Sequence, residues 1–213
     1  MHNSARRGLL LVVSSPSGAG KTTLCNRLRH EFADLGFSVS YTTRYPRASE
    51  CDGEDYHFIA RERFTEMVAA DEFAEYAVVH DNMYGTSAVL VSDNLEAGRD
   101  LLFDVDFQGG RQLRARFGED VVLVFILPPS MAELDRRLRT RATDDPETIA
   151  RRLRVARSEL AHYGEYDYVI VNDQIDEAYD ALRAVYVGCR QRTERQRDRA
   201  EALLAEDAMG TAD

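Results

Sequence analysis

The sequence contains almost no lysine. Of its 27 basic residues, Lys21 is the one lysine and the rest are arginines. Cysteine is nearly as scarce. Cys25, Cys51 and Cys189 are odd in number and lack CxxC spacing, which excludes a Cys-rich metal site and points to a reducing compartment. Long apolar runs are missing too: the stretch at 9–13 is too short for a signal or membrane segment, so a cytoplasmic protein without membrane association is expected. Positive charge falls well short of negative. A formal net charge of −10 argues against broad binding to nucleic acid or anionic membranes, and any anionic ligand must be held by local cations against the overall field. There are no internal repeats and no low-complexity linkers. At 213 residues, with 44% hydrophobic and 30% charged residues, the chain suits one α/β domain with insertions or two small domains.

What is present is organised around one stretch. The apolar run at 9–13 leads into Ser14-Ser15-Pro16-Ser17-Gly18-Ala19-Gly20-Lys21-Thr22-Thr23, after which Leu24, Leu28 and Phe32 recur at helical spacing. Strand, small-residue loop and helix form the context a phosphate-cradling loop requires. Gly18 and Gly20 let the backbone curl so that its N–H groups point inward as an anion nest, and the helix start adds free N–H groups and partial positive charge. Lys21 would reach the β- and γ-phosphates of a nucleotide, and the Thr22 hydroxyl would ligate Mg2+. The lysine's isolation fits this role. Arginine replaces an exposed lysine at little cost, but a guanidinium is too wide and planar for a slot that holds a compact ammonium. Ser15 departs from the loop pattern, which asks for glycine there.

Along the rest of the chain, strand and helix patterns alternate. Residues 37–41 alternate as a second strand, 61–71 and 88–97 read as helices, and 101–106 is an apolar strand ending in Asp104 and Asp106. Residues 121–127 form another buried strand before Pro128-Pro129, and 166–173 a last strand with a polar end. A helix carrying Ile175, Ala178, Leu182 and Val185 closes the pattern. An open, mostly parallel sheet with helices on both faces is therefore expected. The core would comprise 8–37 and 98–188, interrupted by an insertion at 38–97. Residues 189–213 are charge-dense and read as a solvated helix extension or frayed tail.

Candidate chemistry lies at four further places. Asp104 sits at a strand's C-terminal edge, where an α/β sheet places its ligands, and can hold a metal or its waters; strand-end capping is the plain alternative. Arg44 and Arg47, with Tyr56 nine residues on, could converge on a phosphate, although two loop arginines are ordinarily solvated. Glu75 lies in a half-apolar strand, where a lone glutamate usually faces solvent. Eight arginines fall within 136–157, of which Arg137, Arg141 and Arg152 are aimed at phosphate, while the others suit helix-surface ion pairs. This segment, about 137–158, fits a mobile cover.

Over roughly residues 8–188 the chain resembles the guanylate kinase family, bacterial type. The carrying stretches are Ser15-Pro16-Ser17-Gly18-Ala19-Gly20-Lys21-Thr22, Ser40-Tyr41-Thr42-Thr43-Arg44-Tyr45-Pro46-Arg47 and Asp52-Gly53-Glu54-Asp55-Tyr56-His57-Phe58. Tyr84-Gly85-Thr86, Asp104-Val105-Asp106-Phe107-Gln108-Gly109, Ile126-Leu127-Pro128-Pro129-Ser130 and Val171-Asn172-Asp173 follow in order. The resemblance implies a P-loop nucleoside monophosphate kinase that transfers phosphate from ATP to GMP with Mg2+, using a GMP-binding insertion and an Arg-rich lid. It implies that residues 15–23 bind ATP and that Arg44, Arg47, Tyr56 and Tyr84 hold the GMP phosphate. Ser40, Glu75 and Thr86 would read the guanine with Asp106 as helper, and Thr22 and Asp104 would serve the metal. Lys21, Arg137, Arg141 and Arg152 would act on the transferring phosphoryl. The chemistry agrees: guanine offers paired N–H donors that a carboxylate accepts, and its O6 takes a hydroxyl donor. Adenine reverses that pattern. Departures are Ser15, Tyr45, Ser49 and Ala142, none of which removes a charged or catalytic atom. Rival readings are a peptide-binding scaffold domain of the same fold, a kinase for another acceptor, and a GTPase or ATPase switch. ATP and GMP are the expected small-molecule partners, and assembly into a homo-oligomer is left open.

Overall fold

The computed structural model describes residues 6–79, 81–140 and 145–210. In chain order its elements are β1 (Leu10–Ser14), α1 (Lys21–Glu31), β2 (Gly36–Phe37), β3 (Tyr41–Thr42), β4 (His57–Phe58), α2 (Arg61–Ala69), β5 (Phe73–Val79) and β6 (Asn82–Ser87). These are followed by α3 (Ala88–Glu96), β7 (Leu101–Asp104), α4 (Phe107–Phe117), β8 (Val121–Leu127), α5 (Met131–Thr140), α6 (Pro146–Leu160), β9 (Tyr168–Val171), α7 (Ile175–Arg190) and α8 (Thr193–Gly210).

β1 is apolar up to its last residue because it is buried on both faces. It lies at the centre of a parallel sheet of order β2-β7-β1-β8-β9, with Leu10 opposite both Leu101 and Val121. Alternate residues feed two cores. Leu9, Leu11 and Val13 pack with Leu24, Leu28, Leu182 and Tyr186, against α1 and α7. Leu10 and Val12 pack with Val91, Leu95, Phe103 and Leu113, against α3 and α4. Each such side chain contributes about 2 kcal/mol by leaving water. Parallel strands need crossovers, and helices on both faces supply them, as the alternating pattern required.

A second sheet, order β4-β3-β6-β5, stands beside the first. It rests on Phe64, Met67 and Phe73, with Tyr41 and Met83 packed against them. Of the expected insertion at 38–97, residues 41–87 supply this sheet and its helix, while α3 lays Ala88, Val91 and Leu95 on the parallel-sheet core. The strand expected at 37–41 is divided between the two sheets. Phe37 pairs with Leu102 on β7, and Tyr41 pairs with His57 and Gly85 in the second sheet. The serines between them turn the chain from one to the other: Ser38 N–H reaches the Leu102 carbonyl at 3.0 Å and the Ser40 carbonyl accepts from His57 N–H at 2.9 Å.

α5 and α6 form a helical hairpin with a core of its own, Leu134, Leu138, Ile149 and Ala156. Asp145 caps α6 by accepting from Thr148 N–H at 2.8 Å, with Pro146 at the first helical position. The charge-dense tail is helical as α8 and is fixed by a buried arginine. Arg195, 6% exposed, donates to the carbonyls of Gly8 and Glu119 and lies 3.7 Å from Asp120. Next to it Asp100 binds Arg6 through both oxygens (2.8 and 2.6 Å) and accepts from Leu9 N–H and Tyr186 Oη, each at 2.9 Å. Among the described residues, no helix is long and apolar enough to cross a membrane.

Candidate active site

The loop between β1 and α1 is bent at two glycines. Gly18 and Gly20 have φ of +95° and +96°, a region that L side chains rarely adopt. Space excludes a side chain at Gly20 as well, since a Cβ there would lie 2.2 Å from Asn172 Nδ2. That amide donates to the Ala19 carbonyl at 2.7 Å, so the end of β9 braces the loop. Ser15 is not among the residues with positive φ, so its backbone is open to serine, and its hydroxyl donates to the Pro16 carbonyl at 3.0 Å. α1 starts at Lys21 with no side-chain cap, which leaves its first N–H groups directed at the loop.

Lys21 makes a direct ion pair with Asp104 at the end of β7. Burial lowers the pKa of the ammonium, and Cys25, Glu159 and Asp106 oppose that. Two residues on, Asp106 caps α4, accepting from Gln108 N–H at 2.9 Å and Gly109 N–H at 3.1 Å.

Across the cleft, Glu75 is 3% exposed, contrary to the usual solvent-facing strand glutamate. An irregularity in the β5–β6 register between Phe73 and Glu75 accompanies this inward turn. Thr86 donates to Glu75 Oε1 at 2.7 Å, and the serines at 38 and 40 lie 3.4 and 3.5 Å from the Thr86 hydroxyl. With its proton committed to Glu75, Thr86 accepts from Ser38, while the Ser40 hydroxyl, 3.5 Å away, keeps its own proton for a ligand. Burial pushes the Glu75 carboxyl up to about 7; the Thr86 bond opposes the shift and Asp106 adds to it. Gly85 is required by crowding: a Cβ would meet Phe73 at 2.9 Å and the Glu75 carbonyl at 3.1 Å.

A cavity of about 470 Å3 joins the two sides. Ser15, Pro16, Ser17, Gly18, Gly20, Lys21, Thr22, Thr23, Ser40, Tyr56, Glu75, Tyr84, Asp104 and Asp106 all line it. Ala19 and Thr86 are buried just behind it. The arginines stand apart. Arg44 donates to Glu50 at 2.8 Å and to the Tyr45 carbonyl at 2.8 Å, with its guanidinium 5.4 Å from the Tyr56 ring centre. The Arg47 side chain is 76% exposed. Arg137 is held by Glu133 at 2.8 Å and by the Asn172 carbonyl at 3.1 Å, beside a smaller cavity shared with Gly18, Gly20, Arg136 and Thr140. Arg152 is half-buried on α6 and does not line the main cavity. Arg141 and Ala142 lie outside the described residues.

Three contributors were given no role by the sequence. Glu159 of α6 lines the cavity, and burial with Asp106 nearby pushes its carboxyl up to about 7, against the pull of Lys21. It flanks the apolar stripe of α6, and no local pattern separates it from a solvated glutamate. Asn172 stood as the polar end of a strand and within a family stretch, with no role assigned to it. Gly109 faces Glu75, where a Cβ would come within 2.8 Å of Oε2.

An amide nest with one ammonium at a parallel sheet's switch point, facing a buried carboxylate–hydroxyl set across a cleft, defines a P-loop phosphotransferase with a second, polar recognition pocket. The comparisons narrow that class. The family model described as guanylate kinase matches residues 7–187. A guanylate kinase of Dechloromonas aromatica is 53% identical over 84% of this chain and 88% of its own length. One of Anaeromyxobacter dehalogenans is 52% identical over 96% of this chain and 91% of its own. The crystal structure of guanylate kinase from Anaplasma phagocytophilum superposes with a TM-score of 0.73 at 37% identity, covering 89% of this chain and 90% of that one. The chain belongs to the guanylate kinase family.

Proposed function

We propose that the chain transfers the γ-phosphoryl of ATP to the phosphate of GMP, giving ADP and GDP. Family membership supports the reaction. The observation that carries the acceptor assignment is the Glu75–Thr86–Ser40 set, which opens into the same cavity as the Lys21 loop. An ionised Glu75 accepts the paired N1 and N2 hydrogens of guanine, and the Ser40 hydroxyl donates to O6. Adenine would leave that buried carboxylate without a donor.

In this assignment residues 15–23 hold the ATP phosphates, with Lys21 at the transferring group. The GMP phosphate lies near Tyr56 and Tyr84, and Arg44 and Arg47 turn toward it from Glu50. The GMP phosphate is an ionised nucleophile, so no general base is needed; alignment and charge neutralisation carry the rate. The core is assigned to 8–37 and 98–188, GMP binding to 38–97, and the cover to about 137–158. Arg137, Arg141 and Arg152 close over the phosphoryl while water is excluded. Of the tail assigned to 189–213, Thr193–Gly210 extend the core as α8.

The donor set suits Mg2+. Thr22 and Asp104 offer hard oxygens, and no group of three or more His, Cys, Asp or Glu that could hold a metal occurs among the described residues. Mg2+ takes one or two protein oxygens and completes its shell with phosphate oxygens and water. Held there by Thr22 and Asp104, the ion would supply neutralisation of the charge that develops on the phosphates.

Rates with GMP, AMP, UMP and dTMP at fixed ATP test the acceptor. GMP is expected to exceed AMP by on the order of 10^4 in kcat/KM; comparable rates with AMP would overturn the assignment. Lys21→Ala is expected to lower kcat by about 100-fold or more, and a near-normal rate would remove Lys21 from its role.

A further inference from the structure

Glu75 reads a base only if its strand is held in one register, and β5 is poorly placed to hold itself. It is the edge strand of its sheet and has an irregular register just before Glu75. A slip of one residue would turn Glu75 from the cavity to solvent.

Two residues of α4, three apart and so on one face of the helix, prevent this. Gly109 lets the helix approach Glu75 where any Cβ would collide. Gln112 does the rest. Its Oε1 accepts from Tyr76 N–H at 3.1 Å and its Nε2 donates to the Tyr76 carbonyl at 2.8 Å. One carboxamide thus supplies the donor and acceptor that a neighbouring strand would offer, at the residue directly after Glu75. A third bond, from Nε2 to the Gln108 carbonyl at 3.3 Å, ties the amide to its own helix. The same helix is capped by Asp106, so one rigid element sets Glu75 against Asp106.

We infer that Gln112 is a positioning residue for base selection: by clamping the backbone of Tyr76 it fixes the Glu75 carboxylate toward the purine without touching the ligand. This rests on the guanine-site assignment above and adds a residue to it.

The test uses GMP against inosine 5′-monophosphate, which is the same nucleotide without its 2-amino group. The ratio of their KM values reports how well a carboxylate meets that amine. Gln112→Ala is expected to raise KM for GMP about tenfold and to shrink the GMP/IMP preference, with kcat and KM for ATP within about twofold of the parent. Gln112→Glu keeps shape and one acceptor but sets a carboxylate against the Tyr76 carbonyl, so it should behave likewise and serves if the alanine variant folds poorly. Glu75→Gln tests the underlying site. If Glu75→Gln leaves the ratio unchanged, the guanine-site assignment fails. If it collapses the ratio while both Gln112 variants retain it, only the role of Gln112 fails. A uniform loss of kcat and of affinity for both substrates, in step with thermal stability, would reduce Gln112 to a structural contact.

Discussion

Glu75 keeps its carboxyl where water cannot solvate a charge, and its titration should be visible in both binding and stability. With its carboxyl up at about 7, it is half protonated near neutrality. Guanine requires the ionised form, so GMP binding must expel a proton from the neutral fraction. KM for GMP is expected to rise as pH falls from 8 to 6.5, approaching about tenfold per unit below the pKa. The nucleotide's own phosphate titrates near 6, so Glu75→Gln serves as the control, and a KM flat across that window would refute the assignment. The stability effect has the opposite sense. A carboxyl raised in the fold stabilises below its unfolded value and loses that contribution as pH rises through 7. Glu75→Gln should therefore melt higher than the parent at pH 8, with the difference vanishing toward pH 4.5. At this scale the sequence was informative where side-chain identity alone carries the chemistry, as at Lys21, Asp104 and the two loop glycines. It was silent where partner choice decides. Nothing near Arg44 indicates that Glu50 and the Tyr45 carbonyl hold it, and nothing near Glu159 shows that it faces the cleft.

Elements with a strong period were the most legible. The uninterrupted apolar run of β1 meant burial on both faces, and its residues divide between two cores as that implies. Residues 37–41 show the limit, because alternation does not say which sheet a strand joins, and here the chain changes sheets midway. α8 shows another. Its composition is that of a solvated helix, yet Arg195 anchors it by satisfying carbonyls beneath the parallel sheet. Arg195→Met would leave those carbonyls without their partner and Asp120 with Arg7 alone, at a cost of about 2 kcal/mol. Urea unfolding should show a lower midpoint with unchanged kcat, whereas an unchanged midpoint would mean that α8 is merely appended.

On the scale of the whole molecule, an acidic chain holds a phosphate-binding loop in a cavity that it lines with Glu75, Asp104, Asp106 and Glu159 around a single ammonium. Two polyanions enter such a site only when local cations outweigh that field, which fits a cleft whose arginines stand back on Glu50 and Glu133. The side chain that braces the loop comes from far along the chain, since Asn172 and Ala19 are 153 residues apart. The central strand also waits for partners: β1 pairs only with strands beginning at Leu101 and Val121. During synthesis, then, β1 and its loop leave the ribosome well before the strands and the asparagine that give them their working shape. Nascent chains arrested with residue 150 at the tunnel exit should pass through immobilised ATP unretained, and those with α7 fully emerged should be held. Retention of the shorter chains would mean that the grip on phosphate assembles locally, without its distant strut.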